Sequence, residues 1–198
     1  MEQATSSLSL VERVKSGDHA AFGLLFEKYK RRLAVLIHYK LSPDLRRFVE
    51  VDDVLQETWI EAYRDIDNFA YRKAGSLFTW LSRIADHVIA DLARFHSRQK
   101  RHPADLIRFR SESNPEGPEP VDTKTPSRVF SENEEVLTLI ESLNQLPDDY
   151  REAILLSKVE GLTTDEVAAR TGRSKAAVAL LLHRAIKRFR AIQHSALE

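Results

Sequence analysis

Cysteine is absent from this chain, so neither a disulfide framework nor a thiolate metal site can form, and a reducing compartment is the natural setting. Glycine is scarce, and the six present make no phosphate-cradling loop; no nucleophile elbow or paired-histidine zinc helix occurs either. The seven histidines are scattered, and His87, His96 and His102 are too irregularly spaced for a metal site. A surface or DNA-flank position is their plainer reading. No apolar run approaches the length needed to span a bilayer, and Met1 to Ser9 lacks the basic start and apolar stretch of a signal peptide. Net charge is missing too: 30 Lys and Arg balance 30 Asp and Glu, which disfavours a protein that coats nucleic acid unaided. These absences predict a soluble, cytoplasmic chain that is not an enzyme, needs no cofactor or metal, and does not insert into a membrane.

What is present is organised by position. The chain has 198 residues, 42% of them hydrophobic, which is enough for two small helical domains with real cores. From Arg94 to Arg110 six bases face one acid, Asp105, and from Arg173 to Arg190 there are six bases and no acid. Between these stretches, Ser111 to Glu135 carries seven acids against Lys124 and Arg128. Five prolines (Pro103, Pro115, Pro118, Pro120 and Pro126) with Ser111, Ser113, Asn114 and Gly117 leave little chance of regular structure there. The expected architecture is therefore all-α: a four-helix bundle over 1–102, a flexible acidic linker over 103–130, and a helix-turn-helix domain over 131–198.

Helical spacing of apolar residues runs through Leu10 and Val14, then Phe22, Leu25, Phe26, Tyr29, Leu33, Leu36 and Ile37, broken at Ser16-Gly17-Asp18. Asp52 is the expected cap of a helix reaching about Phe69, and a further helix is expected from near Ser76 to before Pro103. After the linker, Glu132 to Leu143 reads as a helix, Pro147 starts another that runs to about Val159, and Thr163 to Arg190 holds two more around Gly172. No segment alternates convincingly as a strand, and no internal repeat is evident.

Three faces carry residues that a core does not require. Leu55, Thr58, Trp59, Ala62, Ile66 and Phe69 form the buried stripe of the first, leaving Asp53, Gln56, Glu57, Ile60 and Arg64 opposite. An isoleucine among polar groups is either a stray apolar residue or the centre of a partner surface with a polar rim. In the next helix Leu77, Leu81, Ile84, Val88, Leu92 and Phe95 mark the core side, with Trp80, Arg83, His87 and Arg94 along one flank. Aromatic faces for unpaired bases and cations for the backbone suit single-strand binding, although Trp80 also reads simply as core. In the last helix Val178, Leu182, Ala185, Phe189 and Ile192 mark the buried side, and Arg173, Ala176, Leu180, His183, Arg184 and Lys187 lie opposite. Leu180, outward with Ala176, can touch a thymine methyl in the major groove or bind a protein.

Specific motifs carry a resemblance. Asp52-Asp53-Val54-Leu55-Gln56-Glu57 followed by Gly75-Ser76-Leu77-Phe78-Thr79-Trp80-Leu81-Ser82-Arg83-Ile84-Ala85 resembles the second conserved region of bacterial sigma factors of the extracytoplasmic-function group. Leu146-Pro147, Tyr150-Arg151-Glu152, Glu160-Gly161-Leu162-Thr163, Glu166-Val167-Ala168, Gly172, Val178 and Leu182-His183-Arg184-Ala185 are similar to that group's fourth region, a helix-turn-helix. The resemblance implies that Asp53, Gln56, Glu57, Ile60 and Arg64 dock on the beta-prime clamp helices of core RNA polymerase, with the beta flap as a further contact. It implies that Tyr71, Arg72, Lys73, Trp80, Arg83, His87, Arg94 and Arg98 hold a melted strand of the downstream promoter element. Arg173, Ser174, Lys175, Ala176, Leu180, His183, Arg184 and Lys187 would then read duplex promoter DNA upstream. An anti-sigma factor or other regulator is the remaining implied partner.

Three departures bear on detail. The loop from Phe69 to Trp80 is slightly longer than the common pattern, His87 stands where many members have asparagine, and Ala179-Leu180-Leu181 replaces a segment often holding two cations and a serine. In related factors the linker threads the RNA exit path, where acids suit a positively lined channel; a solubilising tether is the alternative. Two rival readings share these residues: a free-standing regulator using only the C-terminal motif, and a sequestering scaffold that has lost promoter recognition.

Overall fold

The computed structural model describes residues 6–71, 75–101 and 133–195, with 98–101 and 195 given by their backbone alone, and no strand occurs among them. Serine 6 caps α1 (Ser7–Lys15) by accepting from the Ser9 N–H at 3.1 Å. Gly17, at φ +91°, supplies the left-handed step that reverses the chain. Asp18 then caps α2 (His19–Lys40), accepting from the Ala21 N–H at 3.2 Å. Two hydrogen bonds from Arg13 to the same carboxylate, with the Ala21 backbone donor, hold Asp18 below the usual carboxylate range.

Helix α3 spans Val51–Asp65, a shorter element than predicted, and its cap is Glu50 rather than Asp52. The reason is local: the Asp53 carboxylate accepts from the Glu50 N–H at 3.1 Å, closing the first turn two residues earlier. Asp52 is left in that turn, where negative charge suits the helix dipole. A 3₁₀ turn, Ile66–Asn68, replaces the expected last turn. Helix α4 (Ser76–Arg101) buries Leu77, Phe78, Leu81, Ile84, Ala85 and Val88 as its spacing requires. Phe95, expected in the core, is 53% exposed. It sits toward the helix's far end, where its ring meets His96 edge-on at 5.4 Å and His96 in turn stacks on the exposed Phe48 at 5.1 Å.

The second set of helices is α5 (Glu134–Asn144), α6 (Asp148–Ile154), α7 (Thr164–Thr171) and α8 (Lys175–Ser195). Thr163 and Glu166 cap α7 reciprocally, and Gly172, at φ +67°, ends it in the left-handed conformation that turns the chain into α8. Between α6 and α7 lies a π-helical turn, Leu155–Val159, closed by Glu160 N–H to the Leu155 carbonyl at 2.7 Å. The predicted linker over 103–130 lies outside the described residues.

Leu156, Val167 and Val178 make a small core inside the helix-turn-helix. The rest of the second set joins the first in one apolar core: Val136, Ile140, Leu143, Leu146, Ile154, Val159, Ala185 and Ile192 belong to the same buried cluster as Leu33, Leu36 and Ile37 of α2. Arg32 is the polar centre of this junction. Its guanidinium lies 3.7 Å above the Phe78 ring, and its Nε donates to the Val159 carbonyl at 2.8 Å. The π-helical turn leaves that carbonyl outside the regular helix ladder, so a side chain can satisfy it. Tyr39 adds a hydrogen bond from its hydroxyl to Asn144 Oδ1 at 3.0 Å, and Arg31 pairs with Glu135.

At the end of α2, burial and then the nearby Arg46 charge push the His38 imidazole down from 6.5 to about 4. The Arg46 side chain is held there by the Leu41 carbonyl at 3.1 Å and by the His38 carbonyl. The sign follows from linkage: the fold prefers neutral His38, so its contribution is whole above the unfolded value near 6.5 and is lost as pH falls toward 4. Because the ring is half-buried, solvent screening reduces the effect to on the order of 1 kcal/mol. Urea midpoints should therefore decline from pH 6.5 to 4 in the native protein and decline less in His38→Phe; equal slopes would show that the ring contributes nothing.

Candidate functional site

Helix α3 presents its outer side to solvent between α2 and open water. Gln56, Ile60 and Arg64 line a groove of about 330 Å³ whose other walls are Phe22, Phe26, Trp59 and Tyr63. Burial of Trp59 on the inner side of α3, with Phe22 and Phe26 edge-on at 5.5 and 5.2 Å, fixes the groove floor. Trp59 Nε1 is buried without a hydrogen-bond acceptor among the described residues. Tyr63 closes one side, its hydroxyl 2.7 Å from His19 Nδ1. An apolar trough with an amide, a guanidinium and a phenol at its edge fits a partner's aliphatic side chains. Glu57 is exposed on the same helix without lining the groove, and Asp53, also exposed, is engaged at the helix cap.

The second group gathers where α3 hands over to α4. Trp80 is half-buried and lies against Phe69, ring centroids 4.9 Å apart, and Phe69 meets the half-buried Tyr71 edge-on at 6.3 Å. The structure thus joins Tyr71 and Trp80 through Phe69, a residue the sequence reading assigned only to the helix stripe. Lys15 of α1 secures this corner by donating to the Asp67 and Phe69 carbonyls, each at 2.7 Å. No local signal in the sequence pairs Lys15 with positions more than fifty residues away. Arg83 and His87 are exposed on successive turns of α4, and Arg94 is exposed and paired with Asp91. Arg72 and Lys73 lie outside the described residues, as does the side chain of Arg98.

The third group is the outer side of α8. Val178, Ala185 and Ile192 are buried, which turns Lys175, Ala176, Ala179, Leu180, His183, Arg184, Lys187 and Arg188 outward. Ser174 caps the helix, its hydroxyl accepting from the Ala177 N–H at 3.2 Å. Two of the expected cations are engaged within the fold: Arg173 pairs with Asp149 at 2.9 Å and Lys175 with Asp165 at 2.9 Å. Exposed pairs of this kind are weak, so a phosphate can replace either carboxylate.

Comparison with known proteins bears on all three groups. Residues 25–99, which span α3 and most of α4, match the family model of sigma-70 region 2. Residues 137–189, which span the helix-turn-helix, match that of sigma-70 region 4. The chain is 34% identical over 171 residues to the ECF RNA polymerase sigma-E factor of Escherichia coli K12, covering 85% of this chain and 83% of that protein. It is 31% identical over 170 residues to the factor of the same name from Haemophilus influenzae, covering 85% of each. Among solved structures, CnrH in complex with the cytosolic domain of CnrY matches over 94% of this chain and 96% of that one, with 25% identity and a TM-score of 0.42. The sigma factor RpoE in complex with the anti-sigma factor NepR from Bartonella quintana matches over 84% and 96%, with 21% identity and a TM-score of 0.33.

Proposed function

This chain belongs to the sigma-70 family, in its extracytoplasmic-function group, and from that premise we propose how its three exposed faces divide the work of promoter-directed transcription initiation. As a factor of that family it binds core RNA polymerase and directs it to promoters. The α3 groove with Glu57 attaches to an apolar ridge on core polymerase, the clamp helices of beta-prime being the partner that the motif implies. The Tyr71, Phe69 and Trp80 corner with Arg83 and His87 then receives bases from an opened strand. Stacking on aromatic rings is worth about 1 to 3 kcal/mol per base, which offsets unstacking costs of similar size without nucleotide hydrolysis. The outer side of α8 enters the major groove of duplex DNA upstream.

The observation that carries this reading is the groove of Gln56, Ile60 and Arg64: it is a polar-rimmed apolar recess on the very helix that the region 2 match covers. By the same assignment the working units are 1–102 and 131–198, tethered through 103–130, and the protein is a cytoplasmic initiation factor with no reaction of its own to catalyse. A regulator of the anti-sigma kind completes the set of partners. Run-off transcription with purified bacterial core enzyme tests it. Promoter-specific transcripts that require this chain are expected; a chain that binds duplex DNA without polymerase and yields no transcript would instead favour a free-standing regulator.

A further inference from the structure

Leu180 is 51% exposed at the middle of the outer side of α8, and its surroundings are unusual for a DNA-facing helix. Ala176 precedes it by one turn, Ala179 adjoins it, and both are exposed. His183, Arg184 and Lys187 follow at three, four and seven residues, all exposed, and no acid occurs between Arg173 and Arg190. A patch that is apolar and low at its centre yet flanked by the cations Arg184 and Lys187 is complementary to the floor and walls of one surface: phosphates meet the cations, and something apolar must meet the leucine. Within the major groove the apolar group on a base edge is the thymine 5-methyl. Alanines at 176 and 179 add the close approach that such a contact needs, because neither side chain holds the helix away from the base edges.

We infer that Leu180 is a specificity-determining residue that recognises thymine methyl groups in the upstream promoter duplex. The inference rests on the reading that α8 enters that duplex, and the experiment separates the two. Holoenzyme reconstituted from the full chain and bacterial core polymerase is used to select promoters from a random DNA library, and each thymine of the upstream element is then replaced by uracil. Loss of one buried methyl is expected to weaken binding about fourfold at one or two positions. Leu180→Ala should weaken binding to the thymine-containing site by a similar factor and abolish the difference between thymine and uracil. Leu180→Arg should shift selection toward guanine at the same position, because a guanidinium pairs with guanine O6 and N7. Arg184→Ala should weaken thymine and uracil sites alike and flatten the salt dependence, which reports the docking of α8 itself.

A selected element without thymine overturns the inference, as does uracil sensitivity that survives Leu180→Ala. So does loss of core polymerase binding by Leu180→Ala in the absence of DNA, which would make this a protein contact. If Arg184→Ala changes neither affinity nor salt dependence, the assignment of α8 to duplex DNA fails and the methyl contact falls with it.

Discussion

Replacing Ile60 by glutamate together with Glu57 by lysine should lower affinity for core RNA polymerase by about thirtyfold or more, the loss expected at an interface hot spot near 2 kcal/mol. Ile60 is half-buried against the groove and absent from the bundle core, so the substitution places a charge where a partner's apolar side chain belongs without opening a cavity inside the protein. Gln56→Ala at the rim should cost far less, because rim contacts exclude water more than they supply energy. Asp53 is a poor choice for the same experiment: its carboxylate holds the Glu50 N–H, so its removal weakens the helix start and confounds folding with binding. Co-elution of the double variant with core enzyme at native affinity, alongside unchanged circular dichroism, would remove the α3 groove from the interface.

The second large effect belongs to Arg32. Arg32→Ala removes a hydrogen bond to the Val159 carbonyl, a cation stacked on Phe78, and the packing of a long stem at the junction of the two helical sets. A loss of about 2 to 3 kcal/mol is expected, since the Val159 carbonyl is also left without its donor. Burial lowers the Arg32 pKa, the desolvation that stacking and hydrogen bonding must outweigh. Gly161 offers a check from the opposite side. A methyl group there would lie 2.7 Å from Arg32 Nη2, and at φ +80° it would also strain the backbone. Gly161→Ala should therefore destabilise the native chain, and in an Arg32→Ala background it should cost distinctly less, because only the backbone strain remains. Chemical denaturation of the four-member cycle measures the coupling. Strict additivity would mean that the two positions do not meet in solution.

These two experiments probe different kinds of legibility. Ile60 stands out in the sequence because an apolar residue interrupts a polar face at a position the helical period sends outward. Leu180 stands out for the same reason in α8. Arg32 gives no such sign, since it is one of four cations within Lys28-Tyr29-Lys30-Arg31-Arg32 and its partners lie far along the chain. Phe69 and Lys15 share that property: the first reads as one more stripe residue and the second as a solvated charge, until the turn at Ile66–Asn68 brings ring and ammonium to one corner. Phe95 errs in the other direction. Its spacing continues the core stripe, but spacing describes one helix alone and says nothing of how far neighbouring helices extend to cover it.

By itself the amino-acid order determined where the helices lie, most of the residues each must bury, the separation of two basic stretches by an acidic one, and the outward positions of Ile60 and Leu180. Those are consequences of period, turn chemistry and charge, all settled within a few residues. Tertiary structure alone decided that Phe69 links Tyr71 to Trp80, that Asp149 and Asp165 engage Arg173 and Lys175, and that both helical sets share one core through Arg32. Such pairings depend on the angles and distances between helices that come from mutual packing of whole faces, and no short stretch of chain encodes them.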